Sequence, residues 1–380
     1  MKIDANSVTF EPQDMAFVKK FGILEATEMA LDYHAEHPNL PFLYDAEQLA
    51  GFLGISRGEL NDIVNHIQKE YKEAHLPKKD GTYRSLCVPS IRLRFCQDPI
   101  KEKILPQLPV SKFATAYQKG STTRGNAEPH IGKKFLLKLD ITDFFGSITF
   151  EQVQRTAFNT RYVSRQVGYL LTSLCCKDDS LPQGAATSPA LSNIVMYRFD
   201  DYIGRWCSQR QIAYTRYCDD MTFSANRPLY GVYQKVKTML REMGFELNES
   251  KTHFIGNDNR QSVTGLVVNE KLSIPSGYKR DLRQEVYYAL KFGVEDSVLH
   301  GHRSDFVEDG RPICCPTYML HLMGKVQYVL QIEPENLWFK DAQKKILAYI
   351  YEHYSESLSY YLHFNKNGKG KGMYEQSNPV

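Results

Sequence analysis

Ile212-Ala-Tyr-Thr-Arg-Tyr-Cys-Asp-Asp-Met-Thr-Phe-Ser224 is the stretch from which the fold can be read. Its flanks are rich in aromatic and β-branched residues, which predicts two short strands meeting at an acidic tip, Tyr217-Cys218-Asp219-Asp220. Two carboxylates placed where strands turn gather negative charge that divalent cations neutralise. That chemistry suits two-metal phosphoryl or nucleotidyl transfer. A decorated turn is the plain alternative, so companions elsewhere in the chain have to separate the two.

Two other Asp-Asp pairs calibrate the signal. Asp178-Asp179 lies in a polar break between apolar runs and reads as a solvated loop. Asp200-Asp201 lies in a stretch with Leu191, Ile194, Val195, Phe199, Tyr202, Ile203 and Trp206 at helical spacing, where Asp201 can pair with Arg205 as an ordinary surface contact.

The chain has 380 residues, enough for two or three compact units, and its 42% hydrophobic content is that of a globular protein. A net charge of +3 neither supports nor excludes a polyanionic partner; distribution matters more. Between Lys69 and Lys103 nine basic residues face five acidic ones, either a solvated face or a phosphate-contacting one. The eight cysteines include no Cys-x-x-Cys, which argues against structural zinc. The N-terminus lacks the apolar core of a signal peptide, and no apolar run approaches membrane-spanning length. The expectation is a cytoplasmic protein without membrane contact.

Residues 16–73 read as helical, with a helix-turn-helix rhythm through Ala46–Ser56; an accessory packing layer and a DNA-reading motif are both consistent with it. Lys78-Lys-Asp-Gly-Thr-Tyr-Arg84 reads as a hairpin with Asp80-Gly81 as a two-residue turn. Phe135–Asp140 is a strand ending in an acid, and a helix starts near Ser188-Pro189. Another helix runs from about Leu229 to Met243 and is stopped by Gly244. This order fits an α+β domain with helices on one face of an antiparallel sheet, and the chain turns mainly helical after Pro275.

Asp140, at a strand end, is the natural partner for Asp219, whereas Asp143 reads as a capping or surface acid. Phe145 is placed where a ring could exclude a sugar 2′-hydroxyl, with Phe144 better suited to the core. Leu181-Pro-Gln-Gly-Ala-Ala-Thr-Ser-Pro189 is a loop entering a helix; Gly184 there would admit close approach of a ligand, and Gln183 offers a donor and an acceptor.

Together these residues resemble the bacterial retron reverse transcriptases. The resemblance rests on Asp140 with Phe145, Pro182-Gln183-Gly184 with Ser188-Pro189, Tyr217-Cys-Asp-Asp220, and a lysine motif from Gly244 to Lys251. Two narrower elements join them, Asn126-Ala-Glu-Pro-His130 and Val263-Thr264-Gly265, all in the family's order between about Arg84 and Gly265. The resemblance implies a right-hand polymerase fold. Its parts would be a helical N-terminal extension at 1–70, fingers at 71–133, a palm at 134–265, a helical thumb at 266–364 and a flexible tail at 365–380.

It further implies RNA-directed DNA synthesis with two Mg²⁺ ions, Mn²⁺ being a substitute. Asp140, Asp219, Asp220 and the carbonyl of Ile141 would be the metal ligands. Arg84, Lys79, Phe145, Gln183, Gly184 and Lys251 would meet the dNTP, and Asn126, His130, Val263, Thr264 and Gly265 would recognise RNA. For His130 an internal hydrogen bond is the alternative role. The implied partners are a cognate noncoding RNA, its msDNA product started from a guanosine 2′-hydroxyl, and an effector encoded nearby in antiphage defence. Cys218 departs from the alanine common at that position. The alternatives are a group II intron-like or diversity-generating reverse transcriptase, and a non-catalytic RNA-binding scaffold.

Overall fold

The structure is a computed structural model that describes residues 2–4, 7–9, 14–77, 81–159, 163–301, 306–308, 311–312 and 315–366. The chain divides into two compact units, Met1–Thr122 with Phe135–Phe254, and Thr123–Lys134 with Ile255–Val380.

In the first unit, β1 (Lys2–Asp4) and β2 (Ser7–Thr9) form a hairpin ahead of α1 (Met15–Phe21) and α2 (Ile23–Glu36). α3 (Ala46–Leu53) and α4 (Arg57–Asn65) both begin with capping boxes, Asp45 with Gln48 and Ser56 with Glu59. Each box satisfies amides that the first helical turn leaves orphaned, worth about 1 kcal/mol. Leu49, Leu53, Leu60 and Ile63 are buried in the same core as the central sheet. The outward face of α4 carries Glu59 and Asp62, the latter paired with Arg92 at 2.8 Å, which suits packing and not phosphate binding. α3 and α4 are therefore a layer of the main core, whereas Phe17 of α1 and Ala26 and Tyr33 of α2 form a separate cluster with Phe42.

β3 (Tyr71–Pro77) and β4 (Tyr83–Pro89) pair antiparallel from Tyr71↔Pro89 to Pro77↔Tyr83. With Pro77 opposite Tyr83, this register is not the one a two-residue turn at Asp80-Gly81 would set, which corrects that expectation. Lys78, Lys79 and Asp80 lie outside the described residues. α5 (Ile91–Pro99) follows, and α6 (Thr123–Ala127) belongs to the second unit.

β5 (Phe135–Asp140) leads to α7 (Phe150–Ala157), α8 (Arg165–Cys175) and α9 (Ser188–Ser208), then β6 (Ala213–Tyr217), β7 (Asp220–Ala225) and α10 (Tyr230–Glu242). The sheet order is β6-β7-β5-β8, with β8 (His253–Gly256) the strand through which the chain leaves this unit. Leu137, Leu139, Met221 and Phe223 from the sheet are buried with Leu191, Val195 and Phe199 of α9 and with Val232, Val236 and Leu240 of α10. Leu137 and Leu139 stand opposite Phe223 and Met221 on one face of the sheet, while Asp140 and Asp220 end their strands on the other. The α+β class expected from the sequence is the class observed.

The second unit begins with α6 and the short hairpin of β9 (Ser262–Val263) and β10 (Leu266–Val267). α11 (Ser276–Phe292), α12 (Val294–His300), the hairpin of β11 (Val307–Glu308) and β12 (Arg311–Pro312), α13 (Cys315–Ile332) and α14 (Leu337–Lys366) follow. Leu282, Val286, Leu322, Val326, Phe339 and Ile346 are buried on these helices. Segment 123–134 joins this unit and not the preceding one, since the Gly132 amide donates to the Val268 carbonyl at 2.9 Å. The break before Ile255 likewise differs from the expected palm limit at 265. Of the expected tail, residues 367–380 lie outside the described residues. Among the described residues no helix is long and apolar enough to cross a membrane.

Candidate active site

β6 and β7 close on each other with Tyr217 opposite Asp220, leaving Cys218 and Asp219 as a two-residue turn. Cys218 lies at φ 61° and Asp219 is not in the left-handed region, the pattern of a II′ turn in which glycine is usual at the first position. Holding cysteine there costs about 1–2 kcal/mol. The Tyr117 hydroxyl donates to Cys218 Sγ at 3.1 Å. Burial, together with the neighbouring Asp219 charge, pushes the thiol up to about 12, so it is a neutral group at physiological pH.

Asp140, the last residue of β5, stands directly opposite Asp220 across the β5–β7 ladder. The Ile141 amide donates to the Asp219 carbonyl at 3.2 Å, which ties the turn to the next residue of the acidic strand end. Asp140 is 6% exposed, and Asp219 and Asp220 are half-buried. Three carboxylates are thus brought to one sheet edge with little water to screen them. Burial raises Asp219, with the charge of Asp140 adding to the effect. Burial and then the Asp219 charge raise Asp220 to about 6. Each shift reflects a carboxylate drawn out of water beside another, an environment that a divalent cation would neutralise.

Lys251 supplies part of that positive charge. Its Nζ donates to Asp140 Oδ1 at 3.0 Å, and the Asn248 amide donates to the Asp140 carbonyl at 2.8 Å. The lysine motif is therefore docked on the strand end by backbone and side chain together. Among the described residues no three His, Cys, Asp or Glu side chains close on one metal position by themselves. Magnesium commonly takes one or two carboxylates and completes its shell with water and substrate phosphates, so the acids here suit such a shared site.

Phe144 is buried at 4% exposure, and Phe145 is half-buried and packed against the same core. Asp143 is exposed at φ 42°, and its carbonyl accepts from the Ser147 amide, so it shapes the turn after the acidic strand. Arg84 is exposed on β4 opposite Leu76. Gln183 is half-buried, and its carbonyl accepts from the Cys87 amide at 2.7 Å. Gly184 lies at φ 123°, and a Cβ there would come 2.9 Å from the Cys87 carbonyl oxygen. Its lack of a side chain is thus required by the chain's own β4, a correction to the expectation that a ligand demands it.

In the second unit the Asn126-to-His130 element meets Val263-Thr264-Gly265. Asn126 Nδ2 donates to Thr264 Oγ1 at 3.4 Å, and that hydroxyl donates to the Thr123 carbonyl at 3.2 Å. Thr264 and Gly265 both have positive φ, 44° and 80°, forming the turn between β9 and β10. A β-branched residue at such a φ is uncommon. Asn126 is 1% exposed, and His130 and Val263 are fully buried. This corrects the expectation of direct RNA contact for those three, because their polar and apolar atoms face the interior; Thr264 is half-buried and Gly265 exposed. Burial, with the Lys133 charge beside it, lowers His130 to about 3.

Sequence reasoning also passed over Asp200. Asp201 does pair with Arg205, as expected, but Asp200 is fully buried against Arg216. The signal was available: Asn193, Met196, Asp200 and Ile203 share helical spacing, which puts Asp200 on the apolar face of α9.

Comparison with known proteins agrees with this geometry. Residues 76–268, half of the chain, match the family model described as reverse transcriptase (RNA-dependent DNA polymerase). The Mx65 retron reverse transcriptase of Myxococcus xanthus is 31% identical over 320 residues, covering 78% of this chain and 70% of that one. The chain belongs to the retron reverse transcriptases. The Ec86 retron reverse transcriptase of Escherichia coli is 28% identical over 270 residues, covering 70% of this chain and 84% of its own. The Ec83 retron reverse transcriptase of the same species is 34% identical over 233 residues, 57% of this chain and 75% of that one. This retron reverse transcriptase is accordingly an RNA-directed DNA polymerase with a polymerase fold, and its family's chemistry depends on divalent metal.

Proposed function

We propose that this retron reverse transcriptase binds a cognate noncoding RNA and copies part of it into branched, RNA-linked DNA, starting from a guanosine 2′-hydroxyl. The observation that carries the reading is the convergence of Asp140 with the Asp219-Asp220 turn on one sheet edge, with Lys251 docked on Asp140. Asp140, Asp219 and the Ile141 carbonyl would hold two Mg²⁺ ions, with Asp220 at the rim. Bound there, two cations would supply activation of the primer hydroxyl and neutralisation of the leaving pyrophosphate.

The chain's own groups do the rest. The rigid β5–β7 ladder keeps the carboxylates in place before substrate arrives, so no reorganisation is needed at the moment of reaction. Lys251, on a side chain 61% exposed, can move from Asp140 to a triphosphate oxygen once Asp140 is otherwise neutralised. Phe145 lies under the incoming sugar and excludes a 2′-hydroxyl. Gln183 and Gly184 border the nucleotide and template pocket from the loop held to β4, while Arg84 and Lys79 clamp phosphates from the β3–β4 hairpin. The turn at Thr264-Gly265, braced from within by Asn126, His130 and Val263, reads the cognate RNA. An effector encoded nearby, acting in antiphage defence, is the implied protein partner.

Sequencing the nucleic acid that copurifies with the protein tests this reading. Short DNA joined 2′–5′ to a structured RNA is the expected product; unbranched DNA, or RNA alone, would refute the priming reaction.

A further inference from the structure

Arg216 and Asp200 form a fully buried ion pair directly behind the acidic turn, both side chains at 0% exposure. Arg216 Nε donates to Asp200 Oδ1 at 2.9 Å, and Nη2 donates to Asp200 Oδ2 at 2.6 Å and to Asn193 Oδ1 at 3.1 Å. The Tyr214 hydroxyl donates to Asp200 Oδ1 at 2.7 Å. The remaining arm of the fork, Nη1, donates to the carbonyl of Cys218 at 2.8 Å. The guanidinium also stands 5.7 Å from the centre of the Phe144 ring, next to Phe145.

Cys218 is thus held at two atoms. Arg216 takes its carbonyl, while Tyr117 takes its sulfur. Asn193 secures the second holder as well, since its Nδ2 donates to the Ala116 carbonyl beside Tyr117. Asn193 and Asp200 lie on α9, which starts just after the Pro182-Gln183-Gly184 loop and is joined to it by the Ser188 hydroxyl on the Pro182 carbonyl at 2.8 Å. One guanidinium therefore links the acidic turn, the helix behind the Gln183 loop and the Phe144-Phe145 segment.

Stability alone does not account for this arrangement. A buried ion pair can often be exchanged for apolar residues without loss of stability. An apolar pair, however, cannot donate to the carbonyl of a residue held in the left-handed region. Lysine carries the charge without the fork.

We propose that Arg216, oriented by Asp200, is a positioning residue for DNA synthesis: it fixes the Cys218–Asp219 peptide and thereby the direction of the Asp219 carboxylate. The proposal rests on the reading of Asp219 as an active-site carboxylate.

The test uses the full chain with three variants. Arg216→Met combined with Asp200→Val removes both charges, so no unpaired charge is left in the core. Arg216→Lys retains the charge opposite Asp200 but not the fork. Asp219→Asn tests the underlying reading. Single-turnover extension of an annealed primer gives the maximal rate and the dNTP half-saturation; thermal melting and RNA binding are measured in parallel.

Both Arg216 variants should lose roughly 10- to 100-fold in maximal rate, the usual effect of removing a group that orients a metal ligand, with half-saturation and RNA affinity within about twofold. A wild-type rate in a folded variant would overturn the proposal, as would a loss that merely follows the melting temperature. If the double variant does not fold, Arg216→Lys decides by the same criteria. Asp219→Asn without synthesis, beside wild-type Arg216 variants, sinks the positioning role only. Wild-type synthesis by Asp219→Asn sinks the active-site reading, and the positioning role with it.

Discussion

Replacing Gly184 by alanine would set a methyl carbon 2.9 Å from the Cys87 carbonyl oxygen and 3.4 Å from the Cys87 nitrogen. Both neighbours are backbone, so neither can rotate away. Two separate terms oppose the substitution. At φ 123° any side chain is strained, by about 1–3 kcal/mol. Forcing β4 away also stretches the 2.7 Å bond from the Cys87 amide to the Gln183 carbonyl, a further 0.5–1.5 kcal/mol or about that.

The sum is about 1.5–4.5 kcal/mol. Gly244 supplies the control: it too has positive φ, 85°, but a Cβ there meets nothing within 4 Å, so Gly244→Ala should show only the backbone term. Urea unfolding of both variants separates the terms, and dNTP half-saturation should rise for Gly184→Ala alone because the Gln183 loop moves. Equal destabilisation of the two variants, with unchanged half-saturation, would refute the claim that β4 is what requires glycine at 184.

Phe145→Ala should raise ribonucleotide incorporation in extension assays with mixed nucleotides, and unchanged sugar selectivity would remove Phe145 from the gate. His130 should make stability pH-dependent. Its folded value of about 3 lies below the unfolded value near 6.5, so the unfolded chain binds the extra proton first. The contribution is complete above about pH 6.5 and is lost as pH falls toward 3, by at most roughly 4–5 kcal/mol; a flat His130 contribution in unfolding curves of wild type against His130→Gln over that window would contradict the burial. Thr264→Gly keeps a turn that tolerates positive φ but removes the hydroxyl between Asn126 and Thr123. It should reduce RNA-primed initiation several-fold while leaving extension of a generic annealed primer unchanged, and equal loss in both assays would indicate a folding effect.

Much of the acidic site was legible because its signals are local. A strand ending in Asp140, a turn carrying Asp219-Asp220 and a helix opening near Ser188-Pro189 follow from side-chain period and turn chemistry within a few residues. The same local logic failed at the β3–β4 connection, where Asp80-Gly81 resembles a tight turn but the strands pair in another register, with Pro77 opposite Tyr83. It failed at Gly184, whose constraint comes from Cys87 on a distant strand. It also passed over Asp200, because an aspartate beside Asp201 looks solvent-facing until Arg216, 16 residues later, is folded against it.

The order of motifs by itself determined the family and the strand-turn-strand that carries the carboxylates, since residue types at short spacing select local backbone geometry. Only the tertiary structure decided which polar residues are buried. Asp200, Arg216, Asn126 and His130 are interior, and Arg216 and Asn126 brace their turns, while Thr264 and Gly265 reach the surface. Burial is set by surfaces that meet across long stretches of chain, and a polar group loses its water only when those surfaces close over it.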